Sequence, residues 1–281
     1  MNIKIVTMIS ILTAACSSAF ANEKTTTTCA GKQLFINSSN YMILTKMPPM
    51  MPGEKSLSVH FSGKGKLYRY ESSGTMSLSH CGQLESRAET EERDIGNNKT
   101  MRSTTTVIRD KQKGWLTEMR IDGFYPNKTS IDSRHYYTDE LGRIVRAEGQ
   151  YKMDDKLLET TTWEYLYDDQ NRLIREVIKP TGSPAAIIVD YYHGINGRLA
   201  HVTEESRSRL LRWDGQGRWL SSLLLGLTAE NRSRFEEKCV RWDVVGNCTQ
   251  ENRWEADTAR AGADREIEVN YQIEYQPNHS Q

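Results

Sequence analysis

The sequence has 281 residues, 37% hydrophobic and 26% charged, with 37 Lys plus Arg set against 37 Asp plus Glu. That balance argues against the broad basic face with which a protein neutralises nucleic-acid phosphates. The longest internal apolar patch, Leu223–Leu227, falls far short of the roughly 20 residues of a membrane-spanning helix.

Residues 1–21 read as a cleavable signal peptide. Lys4 is the sole charge in the short n-region, Ile5–Ala15 is apolar, and Ala19-Phe20-Ala21 offers the small-x-small pattern cut by signal peptidase. A lipoprotein alternative through Ala14-Ala15-Cys16 is weakened by Thr13, where such boxes favour leucine. The expectation is a periplasmic or secreted protein cleaved after Ala21. Four cysteines then remain, Cys29, Cys81, Cys239 and Cys248. In an oxidising compartment an even number suggests two disulfides in one of three connectivities. Cys29–Cys81 and Cys239–Cys248 are favoured because each pair is the nearer in sequence. No C-x-x-C spacing supports zinc, and His80 beside Cys81 is a single neighbour rather than a site.

Residues 22–130 read as a smaller β-rich N-terminal region. Met47-Pro48-Pro49-Met50-Met51-Pro52 is a rigid loop with apolar contacts in preference to a thioether Cu(I) site. Leu57–Phe61 and Lys66–Tyr70 form a predicted hairpin around a Ser62–Gly65 turn. The polar stretch Glu85–Lys99 reads as a helix or an exposed loop, and 104–109 and 115–121 as strands. A soft boundary falls near Pro126-Asn127, with a hairpin array occupying 131–281. Within it Ala256–Asp264 is a linker or short helical turn, and Arg265–Gln276 a last strand.

The array carries the strongest signal. Five gapless segments, 136–143, 165–172, 191–198, 211–218 and 240–247, begin with an apolar or aromatic residue. They then usually place an aromatic and an aspartate two and three positions on, followed by Gly or Asn at 142, 171, 197, 217 and 246 and, in the first four, by arginine. Aspartate starts a turn by accepting bonds from the amides that follow, and Gly or Asn supplies a positive φ. Flanking runs such as 162–167 and 173–178 are β-branched and aromatic. Units of this size are stacked hairpins, which bury together what none buries alone.

The pattern resembles the YD (tyrosine-aspartate) repeat of bacterial RHS-type proteins, with 168–173 and 214–219 the best matches and Tyr167-Asp168 the namesake dipeptide. Thr138 and His193 replace the aromatic, Gly194 replaces the aspartate, and the spacing is irregular. The resemblance implies a mainly β architecture, an antiparallel sheet of stacked β-hairpins in a secreted bacterial protein. Five units are too few for the encapsulating shell of the long family members.

Motifs of catalysis are missing. The six histidines show no metal-binding spacing, no Gly-x-Ser-x-Gly elbow occurs, and Gly63-x-Gly65 lacks the rest of a phosphate loop. The adjacent acids Asp154-Asp155, Asp168-Asp169 and Glu236-Glu237 would point to opposite faces of a strand, and Asp168 is better explained by its turn. The sequence therefore leads to a non-catalytic protein-binding module without a cofactor, partnered by another envelope protein or an incoming toxin, an immunity-type protein being the favoured special case. Its candidate binding residues are the repeat aromatics Tyr137, Tyr167, Trp213, Trp219 and Trp242 and the repeat arginines Arg143, Arg172, Arg198 and Arg218, side chains typical of binding hot spots. Glycan or cell-wall binding through Trp213, Trp219, Trp242 and Trp254 is the second reading, and an envelope hydrolase with a site built from distant acids the third.

Overall fold

A computed structural model describes residues 29, 31–51, 56–66, 68–95, 99–110, 113–123, 128–228, 233–256 and 265–276. The signal peptide, Cys16 and most of the 256–264 linker lie outside these residues. One helix, α1 (Gly31–Thr45), precedes β1 (Leu57–Gly65), β2 (Tyr70–Leu78), β3 (Leu84–Asp94), β4 (Thr100–Asp110), β5 (Gly114–Asp122), β6 (Thr129–Thr138), β7 (Ile144–Met153) and β8 (Lys156–Tyr167). The second half supplies β9 (Leu173–Pro180), β10 (Ile187–His193), β11 (Leu199–Glu204), β12 (Arg207–Trp213), β13 (Trp219–Gly226), β14 (Arg234–Trp242), β15 (Cys248–Ala256) and β16 (Arg265–Tyr275). Every strand pairs antiparallel with its sequence neighbours, and β1 also pairs with β16, from Leu57↔Tyr275 to Gly65↔Ile267. The meander is thereby a closed barrel without a free edge. β5 pairs with β6 across the soft boundary, so the N-terminal region and the repeat array share one sheet.

The expected helix or loop at Glu85–Lys99 is instead strand β3 as far as Asp94, and residues 96–98 lie outside the described residues. Its alternation is hidden because neither face is strongly apolar: Arg87, Glu89, Glu91 and Arg93 point inward, while Ser86, Ala88, Thr90 and Glu92 point outward. The first hairpin also turns later than expected, after Gly65 rather than at 62–65. Gly63 serves close packing inside β1, since a Cβ there would lie 2.5 Å from Ser72 Oγ.

All the repeat turns lie at one end of the barrel, and there the core is apolar. Leu57, Leu84, Ile144, Leu173, Leu199 and Trp115 are buried around Tyr41, Met42, Ile43 and Leu44 of α1, which plugs this end. The plug is seated by polar side chains. Asn40 donates through Nδ2 to Gly142 O at 2.8 Å and accepts the Ile144 amide at 3.0 Å. Ser39 Oγ accepts the Leu173 amide, and Asn37 donates to Cys81 O. A Cys29–Cys81 disulfide pins the approach to the helix to the same rim. Beyond Lys46 the Met-Pro segment crosses the turn end, where Asn247 Oδ1 accepts the Met51 amide at 2.6 Å. Among the described residues no helix is long and apolar enough to cross a membrane. The outward positions of β1, β2 and β16, including Ser58, His60, Lys64, Glu71, Glu268 and Gln272, are polar or charged.

Candidate functional site

The repeat motif folds as one recurring device. In the first unit Asp139 Oδ1 accepts the amides of Leu141 and Arg143, each at 3.0 Å, and Oδ2 accepts Arg143 Nε at 2.8 Å. Asp168 does the same with Gln170 and Arg172, and Asp214 with Gln216 and Arg218. The fourth position of each turn is left-handed, at φ 82° for Gly142, 62° for Asn171, 75° for Gly197, 83° for Gly217 and 104° for Gly246. That conformation selects Gly or Asn. Partial burial pushes the Asp168 carboxyl up, but the Arg172 amide and guanidinium outweigh it and hold the group below the ordinary carboxylate range.

The motif aromatics and arginines link each unit to the next. Tyr167 OH donates to Ile144 O at 2.7 Å, His193 Nε2 contacts Leu173 O at 2.8 Å, Trp213 Nε1 donates to Leu199 O at 2.7 Å, and Trp242 Nε1 donates to Trp219 O at 3.0 Å. In each case the aromatic of one unit bonds the carbonyl just after the arginine position of the unit before. The arginines reach the other way. Arg143 lies over the Tyr167 ring at 5.2 Å and bonds Asn171, Arg198 lies over Trp213 at 5.2 Å, and Arg218 over Trp242 at 5.1 Å. Trp219 is buried at the turn end, and Tyr137, on the outer wall, bonds Glu148 beneath Arg146. Of the candidate binding residues, Tyr167, Trp213, Trp242, Arg143, Arg198 and Arg218 thus form a ladder that holds the barrel rim, while Arg172 pairs with Asp168 of its own turn. They are not brought together as a free surface.

A sixth turn of this kind went unread in the sequence. Ser79 N donates to Gln83 O, and Gly82 N to Ser79 O, with Gly82 at φ 73°. Leu84 then follows as the apolar residue, and its carbonyl accepts Trp115 Nε1 at 2.8 Å. Serine and glutamine stand where the motif has aspartate and arginine, so only Gly82 followed by Gln83-Leu84 could have signalled it.

Two surfaces remain open to partners. Outside, the register Tyr192↔His201↔Leu210↔Leu223 runs a row across β10–β13, with Leu225 on the adjoining row. Tyr192 is 51% and Leu210 43% exposed, and the Tyr192 ring stacks on His201 at 5.5 Å. Beside the row Arg212, Lys238 and Arg241 are exposed, and none of them is in an ion pair of 4.0 Å or less among the described residues. Inside, above the plug, lie two cavities of about 560 and 670 Å³ that share Lys46, Asp132, Arg134 and Tyr151. The first, between β6 and β13, carries the cations Lys46, Arg134, Arg207 and Arg209. Its acids are Asp132, Glu159, Glu176 and Glu204.

Most of the inner acids have cationic or phenolic partners, and Glu159 accepts the Thr161 hydroxyl at 2.8 Å. Arg134 pairs with Asp132 at 2.6 Å, Arg209 with Glu237 at 2.5 Å and Arg253 with Glu251 at 2.9 Å, while Tyr191 OH donates to Glu176 at 2.8 Å. Burial raises the Glu91 carboxyl, with Arg93 opposing it. Cys29, His80 and Cys81 cluster near one another, but the two sulfurs are joined to each other at 2.04 Å and leave no thiolate for a metal. Cys239 and Cys248 are likewise bonded, across β14 and β15 at the base of the fifth turn.

No family model matches the chain, and no curated protein is similar to it in sequence. Among solved structures it is similar to a porin-like protein from Bacteroides uniformis, at 12% identity and TM-score 0.47, over 79% of this chain and 99% of that one. It is also similar to part of the Tc holotoxin pore of Photorhabdus luminescens, at 10% identity and TM-score 0.27, over 67% of this chain and 14% of that one.

Proposed function

We propose that this chain is a non-catalytic binding protein of the bacterial envelope or secreted compartment that grips a partner protein on the outer wall of β10–β14. The carrying observation is the row of Tyr192, Leu210 and Leu223 beside three cations, with Glu236, the cross-strand partner of Leu223, held by Arg234. An apolar centre with a charged rim is the anatomy of a protein interface, and unpaired cations favour an acidic partner. The resemblance to YD repeats, sequences associated with competition between bacteria, favours an immunity-type protein that neutralises a periplasm-acting toxin. Such a protein needs export, rigidity and no active site. Glycan binding has less support, because Trp213 and Trp242 are bonded into the rim. The hydrolase reading has less as well, because most of the inner acids are partnered.

The test is capture from envelope extract by the immobilised mature chain, beside Leu210→Asp and Arg212→Glu/Lys238→Glu variants. An acidic protein held by the wild type should be lost from both variants, a weakening of about tenfold or more for a central apolar residue. It should also elute with salt, as an exposed charged rim requires. Equal capture by all three chains would overturn the proposal.

A further inference from the structure

We propose that the cavity between β6 and β13 is a binding chamber for a short amphipathic peptide. Both walls mix apolar and charged side chains: β9–β13 carry Glu176, Glu204, Arg207 and Arg209 as well as aliphatic residues, and Arg134 on β6 pairs with Asp132 at 2.6 Å. β9–β13 present Ile178, Ile187, Val202 and Leu224 inward, and these side chains are left partly uncovered, Ile187 being 43% exposed although it faces the lumen. The opposite wall, on β6–β8, carries Asp132, Tyr151, Glu159 and Thr161. At the floor Lys46 extends a side chain that is 53% exposed, and it meets the buried Glu176 only at 3.4 Å. A volume of about 560 Å³ is ordinary for a small-ligand site.

The same walls exclude other ligands. A fatty acyl chain would strip water from the charged side chains of both walls without replacing their hydrogen bonds. A sugar stacks best between broad aromatic faces, but the Trp163 ring is covered by Arg134 at 4.6 Å and is 6% exposed, and Tyr191 is 7% exposed, which leaves Tyr151 on one wall alone among the described lining residues. A peptide with alternating apolar and charged side chains satisfies both walls. Its carboxylate can take Lys46 while Glu176 keeps the Tyr191 hydroxyl. Because the barrel is closed, the peptide cannot be added as an edge strand. Side chains must hold it.

The experiment is calorimetric titration of the mature chain with the tetrapeptide Leu-Lys-Leu-Glu, free at both ends, with laurate and chitotetraose as parallel probes. The expected result is saturable peptide binding with a negative heat-capacity change. Ile187→Asp should weaken it at least tenfold while leaving the unliganded unfolding midpoint in place, since the side chain is already part exposed. Leu210→Asp, on the outer wall, should leave peptide binding unchanged, so this result and that of the partner capture are read separately. The chamber assignment is overturned if the peptide shows no saturation below about 1 mM, if the Ile187 variant binds as tightly as the wild type, or if laurate or chitotetraose binds in the peptide's place.

Discussion

Replacing Asp168 by alanine tests the turn device at its most complete copy. The carboxylate accepts the Gln170 and Arg172 amides at 3.0 and 2.9 Å and Arg172 Nε at 2.7 Å. Removing a side-chain cap of backbone amides costs about 1 kcal/mol. Losing an ion pair whose side chains are 17% and 22% exposed costs about 0.5–1 kcal/mol more. The expected sum of about 2 kcal/mol should lower the urea midpoint by roughly 0.7–1 M for a slope of 2–3 kcal/mol/M. Asp168→Asn retains an acceptor oxygen for both amides and should cost about half as much. Asp169→Ala, at an exposed position in the same turn, should stay within about 0.5 kcal/mol of the wild type. The folded carboxyl titrates below its ordinary value, so its contribution is complete above about pH 4 and is lost as pH falls through the folded pKa. The acid arm of the stability curve should accordingly be shallower in Asp168→Asn. Equal midpoints for the Asp168 and Asp169 alanine variants would refute the reasoning, as would an asparagine variant no better than alanine.

The ladder predicts that Trp213→Phe keeps the ring beneath Arg198 but loses the bond to Leu199 O, at a cost of about 1 kcal/mol by denaturant titration. The two disulfides should differ by span: for separations of 52 and 9 residues, chain-entropy arguments give losses of about 4 and 2.6 kcal/mol when each pair is replaced by serines. Thermal scans of the two double variants under identical conditions would show the ranking. Burial pushes the Tyr41 phenol up to about 12, with Arg87 and Thr45 opposing. The folded state therefore holds this proton more tightly, and the stability it confers is complete below pH 10 and lost as pH rises towards 12. Alkaline titration of unfolding should be less steep in Tyr41→Phe, the wild-type change corresponding to about 2–3 kcal/mol.

The repeat half was legible because its turns carry their own chemistry. Aspartate and a left-handed Gly or Asn are local demands, visible without knowledge of what lies across the sheet. The rest was hidden where partners are distant. β3 looked helical or irregular because its inner face holds arginine and glutamate that pair along the strand itself, Arg87 with Glu89 and Arg93 with Glu91. α1 shows little amphipathic pattern, because a plug is surrounded by barrel and needs no solvent face. Asn37, Ser39 and Asn40 read as ordinary polar residues, yet they are buried and bond the rim backbone. Sequence reasoning placed the repeat aromatics and arginines on a surface, since neither spacing nor composition reveals that Tyr167, Trp213, Trp242, Arg143, Arg198 and Arg218 reach into the adjoining unit. The row across β10–β13 depends on strand register, which a list of residues does not contain.

The β1–β16 pairing is the one seam in the barrel that no turn can make. Each neighbouring hairpin forms from residues close along the chain, whereas Leu57 must find Tyr275 after the whole meander has been laid down. Loop-closure entropy falls on that single step, so assembly should wait on it while short-range ribbons are already in place. Until it closes, β1 and β16 each show a bare row of amides and carbonyls. A chain shortened before Arg265 keeps two such rows permanently, and its expected fate is exchange of strands between molecules.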